Sequence, residues 1–266
     1  MAKKIAVIFD SAGTLLHMYR VAKEASTGNI LENIESTAIV AQKKGCGLVV
    51  FNTESDIILS SRKDMPLFEF IKEHRISLGI SCSKGKFSPA IAYEIIEGTA
   101  LFMSDLHDVL EMVTYRCPDI FYRASGLIID SEAKSVPYVL STGGHVFSTT
   151  LQTVQTLQAM KVDTYIASGD GVFALTKLAE FINISQEKVF PLSNTFMKEN
   201  LVLELKKKYE KVVMVGDGIN DILALRAADV GIMTTQQGDQ RPEKLRAAAD
   251  MIIEDIIEVV DVVKRL

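Results

Sequence analysis

The stretch IAVIFDSAGTLL, residues 5–16, decides how this 266-residue chain folds. It starts with a run of apolar residues, which predicts a strand at residues 4–9 that is buried on both faces. The strand ends on Asp10, and Gly13 allows the chain to turn away directly afterwards. An aspartate at this place is also compatible with a simple turn or helix cap. Its meaning therefore depends on what the rest of the chain places beside it.

From residue 149 onward the chain alternates between helix and strand patterns at a regular spacing. The predicted strands lie at residues 162–167, 188–190, 211–215, 230–233 and 251–253, and the predicted helices at 149–160, 171–183, 197–209, 220–228 and 255–265. Such alternation predicts an α/β fold with a Rossmann-like parallel sheet and helices on both of its faces. Right-handed crossovers place the carboxyl ends of all strands at one edge, where such folds bind ligands.

Residues 19–123 lack this alternation and predict an inserted α+β cap domain that selects the substrate. The patterns within it indicate a polar helix at 22–44, a strand at 47–51, a helix at 66–74 and more helix through about 116. A β-hairpin is predicted at residues 126–140, with its turn at 131–134. The predicted core domain therefore consists of residues 1–18 and 124–266.

Composition limits the possible partners and location of the protein. Apolar residues make up 48% of the chain and charged residues 24%, which is ordinary for a soluble globular protein. The net charge of −5 argues against a nucleic-acid or anionic-membrane partner. No apolar run approaches the roughly 20 residues of a membrane span. The three cysteines have no metal-binding spacing and predict reduced thiols in a cytoplasmic protein. The sequence leaves the oligomeric state open.

Polar side chains follow three of the predicted strands at the point where each strand ends. Lys198 begins the helix that lies between the last two of these strands. Because the carboxyl ends of parallel strands share one edge, we expect all these groups to converge. The groups are Asp10 after the first strand, Ser168, Gly169 and Asp170 after residues 162–167, and Asp217, Asn220 and Asp221 after residues 211–215.

Such a cluster has a definite chemistry. Carboxylates packed together resist ionisation unless a cation lies among them. Mg²⁺, with oxygen ligands from carboxylates and a substrate phosphate, meets that need. A hydroxyl, the N–H groups of glycine turns and an ammonium group suit a phosphoryl group, and a carboxylate beside the metal can attack phosphorus. We therefore expect Mg²⁺ as cofactor and a small phosphorylated molecule or nucleotide as substrate.

Taken together, these segments resemble the ordered motifs of the haloacid dehalogenase-like (HAD) superfamily. Within it, the resemblance is greatest to the phosphorylation domain of P-type ATPases. It covers about residues 4–16 and 145–266 and does not extend to the middle of the chain. The matching segments are residues 10–14 (DSAGT), 168–170 (SGD), 198 (K), 216–221 (GDGIND), 227–232 (AADVGI) and 248–253 (AADMII).

The resemblance implies a role for each matched residue. Asp10 would be the nucleophile that is phosphorylated during turnover, and the other catalytic residues would be Ser168, Lys198, Asp217, Asn220 and Asp221. The metal ligands would be Asp10, the backbone carbonyl of Ala12 and Asp217. The phosphate-binding groups would be Thr14, Ser168, Gly169 and Lys198, with Asn220 and Asp221 orienting the set.

Ala12 is the main departure from the superfamily pattern. Many members carry there a second aspartate, which transfers protons while the phosphoaspartate forms and is hydrolysed. A methyl group cannot do this, and losing such a group costs about 10²–10⁴ in rate. P-type ATPases have threonine there and keep a long-lived aspartyl phosphate, whereas phosphonoacetaldehyde hydrolases have alanine and use a lysine of the inserted domain. We expect slow dephosphorylation or a substitute base.

The leading hypothesis is a soluble, cytoplasmic, Mg²⁺-dependent phosphohydrolase with an aspartyl phosphate on Asp10. The alternatives are a phosphate- or nucleotide-binding regulatory module on the same fold and a phosphonatase-like carbon–phosphorus hydrolase. Asp170 is either a substrate contact or a helix cap. Lys84 and Lys86, in the serine-rich loop at residues 81–88, and His145 are weaker candidates, for which a solvated loop and a helix-entry residue are the favoured interpretations.

Overall fold

The computed structural model of the chain describes residues 4–117, 120–238 and 241–266. These residues fold into two compact units, and each unit has its own sheet. The first unit comprises the residues up to His17 with Val146–Asp170 and Leu175–Leu266, and the second comprises Met18–His145 and Gly171–Ala174.

The strands and helices follow one another along the described residues in a mixed order. The strands are β1 (Ile5–Phe9), β2 (Leu16–Glu24), β3 (Ile30–Glu32), β4 (Cys46–Asn52), β5 (Ser77–Ser83), β6 (Tyr122–Asp130), β7 (Ser135–Val146), β8 (Asp163–Ala167), β9 (Val189–Phe190), β10 (Lys211–Gly216), β11 (Val230–Thr234) and β12 (Met251–Ile253). The α-helices are α1 (Ser36–Gln42), α2 (Ser55–Leu59), α3 (Leu67–Glu73), α4 (Pro89–Glu97), α5 (Met103–Arg116), α6 (Thr150–Ala159), α7 (Val172–Phe181), α8 (Thr195–Lys206), α9 (Ile222–Ala227), α10 (Glu243–Arg246) and α11 (Glu258–Lys264).

The sheet of the first unit is parallel throughout. Its strand order is β12–β11–β10–β1–β8–β9, so that β1 lies between β10 and β8. All five residues of β1 are buried, as expected for a strand inside a sheet that helices cover on both faces. Because β1, β8 and β10 are parallel neighbours, their carboxyl ends lie side by side. The predicted α/β fold with a parallel sheet is confirmed.

Two aspartates of the repeated Ala-Ala-Asp sequence hold this sheet in register. Asp229 precedes β11, and its carboxylate accepts a hydrogen bond of 2.8 Å from the N–H of Val212 in β10. Asp250 precedes β12 and accepts a bond of 2.8 Å from the N–H of Gly231 in β11. Each aspartate also donates its own N–H to the carbonyl of the same partner. The two Ala-Ala-Asp runs therefore have a structural role, which is to fix where neighbouring strands begin.

The second unit combines a sheet of different design with α1–α5. Its strand order is β3–β2–β7–β6–β4–β5, and β4 pairs with both β5 and β6 in antiparallel fashion. The strands β6 and β7 form the predicted antiparallel hairpin. Buried apolar side chains such as Val49, Phe70 and Leu106 build its core. This is the mixed α+β unit that the sequence predicts for the insertion.

The boundary between the units differs from the predicted one. The sequence places residues 124–145 in the core domain, whereas the structure includes them in the second unit. The reason is that β6 pairs with β4, so the hairpin belongs to the second sheet. Hairpin periodicity identifies two strands, but it does not show which distant strand they join.

The prediction of a polar helix at residues 22–44 is wrong. This stretch contains the end of β2, the antiparallel strand β3 and the short helix α1. A polar turn joins β2 and β3, and Gly28 lies in it with φ +75°. β2 begins at Leu16, immediately after the first motif. Its buried and partly exposed residues do not alternate strictly, so the sequence pattern does not identify it as a strand.

None of the helices formed by the described residues is long and apolar enough to cross a membrane. Cys46, Cys82 and Cys117 are thiols rather than disulfide-bonded cysteines. Burial raises the pKa of the Cys82 thiol to about 12, so this thiol is unreactive at neutral pH.

Candidate active site

Asp10 lies at the carboxyl end of β1, between the ends of two neighbouring strands. Its N–H donates to the carbonyl of Val215 in β10 at 2.9 Å, which extends the pairing of these strands by one residue. Asp217 directly follows β10, and Ser168 directly follows β8. Asp10, Asp217 and Ser168 are all buried. Three adjacent strand ends therefore bring polar side chains to one edge of the sheet.

Lys198 supplies a positive charge to this edge. It lies near the start of α8, where the Asn194 side chain caps the helix by accepting hydrogen bonds from the N–H groups of Phe196 and Met197. The Lys198 Nζ donates to Oδ1 of Asp10 and to Oδ1 of Asp221, at 2.7 Å each. The lysine side chain is 0% exposed. A charge so deeply buried needs such partners to persist.

Both carboxylate oxygens of Asp221 are engaged. Oδ1 accepts from Lys198, and Oδ2 accepts from the N–H of Gly218 at 3.0 Å. The carboxylate fits because Gly216 has no side chain: a Cβ there would lie 2.5 Å from Oδ2. Asn220 is half-buried in the same turn. Asp221 is thus placed to position Lys198.

The turn after Asp10 approaches Asp217 closely. Gly13 has φ +83°, a conformation that strains any residue with a Cβ, and a Cβ there would lie 2.0 Å from Oδ2 of Asp217. Glycine is therefore required for both the turn and the contact. Thr14 is fully buried, and its hydroxyl has no hydrogen-bond partner among the described residues. An unsatisfied buried hydroxyl costs about 1–3 kcal/mol, which a ligand oxygen would recover.

Asp170 links two loops of the site. Its Oδ2 accepts hydrogen bonds from the hydroxyl of Ser11 at 2.7 Å and from that of Ser168 at 2.9 Å. Its own N–H donates to the Ser168 hydroxyl at 3.2 Å. Gly169 leaves this loop without a side chain between the two polar residues. The sequence did not predict the contact with Ser11.

Burial and charge raise the pKa of two central groups. Burial raises the pKa of Asp10 to about 8. The positive charge of Lys198 lowers this pKa by less than burial raises it, and the negative charges of Asp221 and Asp217 raise it further. Burial alone would lower the pKa of Lys198, but the charges of Asp10 and Asp221 outweigh it and raise that pKa. The lysine therefore stays charged at neutral pH. Lys198 offsets only part of the effect of burial on Asp10, so a further cation beside Asp10 would lower its pKa.

The carboxylates of the site fit a divalent metal ion. One oxygen from each of Asp10, Asp217 and Asp221 lies within 4.8 Å of the others. Since both oxygens of Asp221 are engaged, Asp10 and Asp217 are the carboxylates best placed as ligands. Oxygen ligands of this kind suit Mg²⁺, and a divalent ion would also offset the raised pKa of Asp10. The backbone carbonyl of Ala12 stays a predicted ligand.

Arg241 is a further cation at this edge that the motifs do not identify. Its Nη2 donates to Oδ2 of Asp217 at 2.5 Å, and the two side chains are 11% and 9% exposed. Arg241 lies beyond the carboxyl end of β11 and before α10. Attention to polar residues shortly after every parallel strand, rather than after three of them, would have found it.

The weaker candidates lie in the second unit. His145 belongs to β7, and its Nδ1 is 3.8 Å from the Sγ of Cys117. Lys84 donates to the backbone carbonyl of Ala41 at 2.7 Å. Each side chain thus has a contact within that unit.

Comparison with known proteins identifies the class of protein. The chain matches the haloacid dehalogenase-like hydrolase family over residues 6–229 and belongs to that family. It is 30% identical over 265 residues to a protein of Methanocaldococcus jannaschii named "Soluble P-type ATPase-like phosphatase". That alignment covers 99% of this chain and 94% of the relative.

Transport ATPases are similar over a small part of their own length. The copper-transporting ATPase of Saccharomyces cerevisiae is 27% identical over 273 residues, which cover 92% of this chain and 24% of the ATPase. A probable copper-importing P-type ATPase of Enterococcus hirae is 40% identical over 81 residues, 30% of this chain and 11% of the ATPase. The solved catalytic domain of the CPx-ATPase CopB-B has a TM-score of 0.49 at 19% identity, covering 97% of this chain and 88% of that domain.

Proposed function

We propose that this protein is an Mg²⁺-dependent phosphohydrolase that acts through an aspartyl phosphate on Asp10. The observation that carries the proposal is the buried ion-paired cluster, in which Lys198 bridges Asp10 and Asp221. Buried charges add little net stability, so their convergence at the ligand-binding edge of a parallel sheet supports a function. The family and the name of the Methanocaldococcus relative support the same activity.

In the first half-reaction Asp10 is the nucleophile. Its carboxylate attacks phosphorus, a bond forms between phosphorus and an Asp10 oxygen, and the bond to the leaving oxygen breaks with its electron pair. Lys198 holds Oδ1 and so fixes the orientation of the carboxylate. It also balances the negative charge of the phosphoryl group. Mg²⁺, held by Asp10, Asp217 and the Ala12 carbonyl, would supply additional positive charge to the phosphoryl oxygens.

Hydrogen-bond donors for the phosphoryl oxygens come from the two neighbouring loops. Thr14 has a buried hydroxyl with no partner to lose among the described residues. Ser168 and the N–H of Gly169 belong to the loop after β8. Phosphate binding redirects the Ser168 hydroxyl away from Asp170, which keeps its bond from Ser11. Together with Asn220 and Asp221 as orienting residues, these groups form the proposed phosphate site.

In the second half-reaction water attacks the phosphoaspartate. The bond between phosphorus and Asp10 breaks, the carboxylate is restored, and a base must take the proton of the water. Ala12 stands where many HAD enzymes have that base, so this step is slow. In the first step, leaving groups that need no proton, such as ADP or the carboxylate of an acyl phosphate, are affected least.

The natural test is a phosphatase screen across nucleotides, sugar phosphates and acyl phosphates with Mg²⁺. Asp10→Asn serves as the blank, because an amide cannot act as the nucleophile. We expect phosphate release above that blank from at least one class of small phosphorylated compound. Equal release by the two proteins from every compound would contradict the proposal.

A phosphate- or nucleotide-binding module without turnover is the second candidate, and Ala12 favours it. It predicts that inorganic phosphate or a nucleotide raises the melting temperature in the presence of Mg²⁺ while no donor is hydrolysed. A single turnover on Asp10 with release of phosphate would exclude it.

A further inference from the structure

Arg241 places a permanent positive charge beside one of the proposed metal ligands. Its Nη2 donates to Oδ2 of Asp217, and both side chains are about nine-tenths buried. Solvent therefore screens this pair much less than an ion pair on the surface. Arginine does not lose its proton in proteins, so the charge persists at every physiological pH.

The turn at Gly13 lies close to the same carboxylate. A Cβ on Gly13 would lie 2.0 Å from Oδ2 and 2.8 Å from Oδ1 of Asp217, which means that the backbone of the turn stands directly against the carboxylate. The Asp217 carboxylate therefore has Gly13 on one side and the Arg241 guanidinium bonded to Oδ2. A metal ion that takes Oδ2 competes with the guanidinium for that oxygen.

The balance of charge leads to the same conclusion. Asp10, Asp217 and Asp221 carry three negative charges when ionised, and Lys198 and Arg241 carry two positive ones. The net charge of this group is therefore −1. Without Arg241 it would be −2, and the attraction for a divalent cation would be stronger.

We propose that Arg241 competes with Mg²⁺ for Asp217 and thereby sets the affinity of the site for the metal. This inference rests on the proposed function, from which it takes the metal ligands. In the metal-free protein the guanidinium holds Asp217, and it leaves Oδ2 when Mg²⁺ binds. A phosphate group offers the displaced guanidinium a new acceptor, so phosphate and Mg²⁺ favour each other's binding.

Mg²⁺ titrations of the full chain by isothermal calorimetry test the proposal. We expect Arg241→Gln to bind Mg²⁺ about tenfold more tightly than the wild type, equivalent to about 1.4 kcal/mol. Arg241→Lys keeps the charge and should stay within about threefold of the wild type. Inorganic phosphate should tighten Mg²⁺ binding more in the wild type than in Arg241→Gln.

Lys206→Gln is the matched control. Lys206 pairs with Asp229 at 3.2 Å in the same unit, so this variant also removes one positive charge from an ion pair but leaves the carboxylate cluster intact. It should leave the Mg²⁺ affinity unchanged. An equal gain in affinity in both variants would mean that overall charge, rather than competition for Asp217, is responsible, and would overturn the proposal.

Unchanged or weaker Mg²⁺ binding by a folded Arg241→Gln protein would also overturn it. A second measurement uses the wild-type protein, in which Arg241 is present. The Nε–Hε NMR signal of Arg241 can be assigned because it is absent from the spectrum of Arg241→Lys. In the wild type this signal should shift when Mg²⁺ saturates the protein. A signal that stays constant would contradict displacement of the guanidinium. If the wild type binds no Mg²⁺, the proposed function fails as well. If all variants bind it equally, only this inference fails.

Discussion

The two units of the molecule treat charged side chains differently. In the first unit, Lys198 bridges Asp10 and Asp221 with at most 6% of any of these side chains exposed. In the second unit, an ion pair such as Lys63–Glu111 is more than half exposed, and the core is apolar. Buried ion pairs contribute little net stability compared with apolar packing. Among the described residues, the most deeply buried ion pairs are those of Lys198, at the edge of the first unit's sheet.

The carboxylates at this edge are also unusual in their spacing. Within the described ranges of the chain, a single group of three carboxylates is close enough to hold a metal ion, and it is this cluster. The contrast teaches that the most deeply buried charges of the first unit coincide with its carboxylate cluster, which favours a chemical role for them.

The largest effect on stability is expected from Lys198→Met. It leaves Asp10 and Asp221 buried without their cation, which typically costs about 3–5 kcal/mol in the free energy of unfolding. Lys63→Met removes the corresponding charge from the exposed pair of the second unit and should cause no measurable change. Urea unfolding of both variants measures the difference. Similar unfolding midpoints would show that the buried cluster is no more costly to break than a surface pair.

The next effect concerns turnover. Ala12→Asp supplies the missing acid–base group and should speed the decay of the phosphoenzyme by about 10²–10⁴. Ala12→Asn has nearly the same shape but cannot transfer a proton, so it should behave like the wild type. Decay of labelled phosphoprotein after a chase with unlabelled donor measures this rate. Equal rates in the two variants would show that Ala12 is not what limits hydrolysis.

Glycines with positive φ allow the two units to be compared directly. Gly13→Ala and Gly28→Ala each force an alanine into a left-handed conformation, with strain of about 1–2 kcal/mol. Gly13→Ala also pushes against Asp217 and should weaken Mg²⁺ binding by about 10–100-fold. No atom of the described residues lies within 4 Å of a Cβ on Gly28, so that variant should keep its Mg²⁺ affinity. Calorimetric titration distinguishes the two, and equal affinities would contradict the role of Asp217.

The last prediction concerns the direction in which stability changes with pH in the metal-free protein. Folded Asp10 has a pKa of about 8, whereas the unfolded group has one of about 4. Between these values the folded state binds more protons than the unfolded state, so stability falls as the pH rises. Asp10→Asn should remove this fall, and so should saturating Mg²⁺. Melting temperatures in EDTA from about pH 5 to pH 8 measure it, and parallel curves for the wild type and Asp10→Asn would contradict the raised pKa.

Much of the first unit could be predicted from the sequence because its signals are local. Each strand is a short apolar run, each run ends on polar residues, and the rule for parallel sheets places those ends together. The edge formed by Asp10, Ser168 and Asp217 follows from these facts alone. The position of Lys198 depended on the order of the motifs, since one lysine in a charged helix resembles another.

The parts that were missed depend on contacts between distant residues. β6 and β7 were predicted as strands, but their sheet is decided by pairing with β4, far away in the chain. The end of β2 and the whole of β3 were mistaken for part of a polar helix, because the residues that join these strands are mostly polar. Arg241 and Ser11 have no motif of their own, and their importance appears only when Asp217 and Asp170 are seen beside them.

The most direct test of the central claim is covalent labelling of Asp10. The protein is incubated briefly with a radiolabelled acyl phosphate or nucleotide and Mg²⁺, and is then denatured in acid. The account predicts an acid-stable, hydroxylamine-labile label on the wild type, longer-lived than on Ala12→Asp, and none on Asp10→Asn. Equal labelling of Asp10→Asn, or the absence of label with every reactive donor, would contradict it.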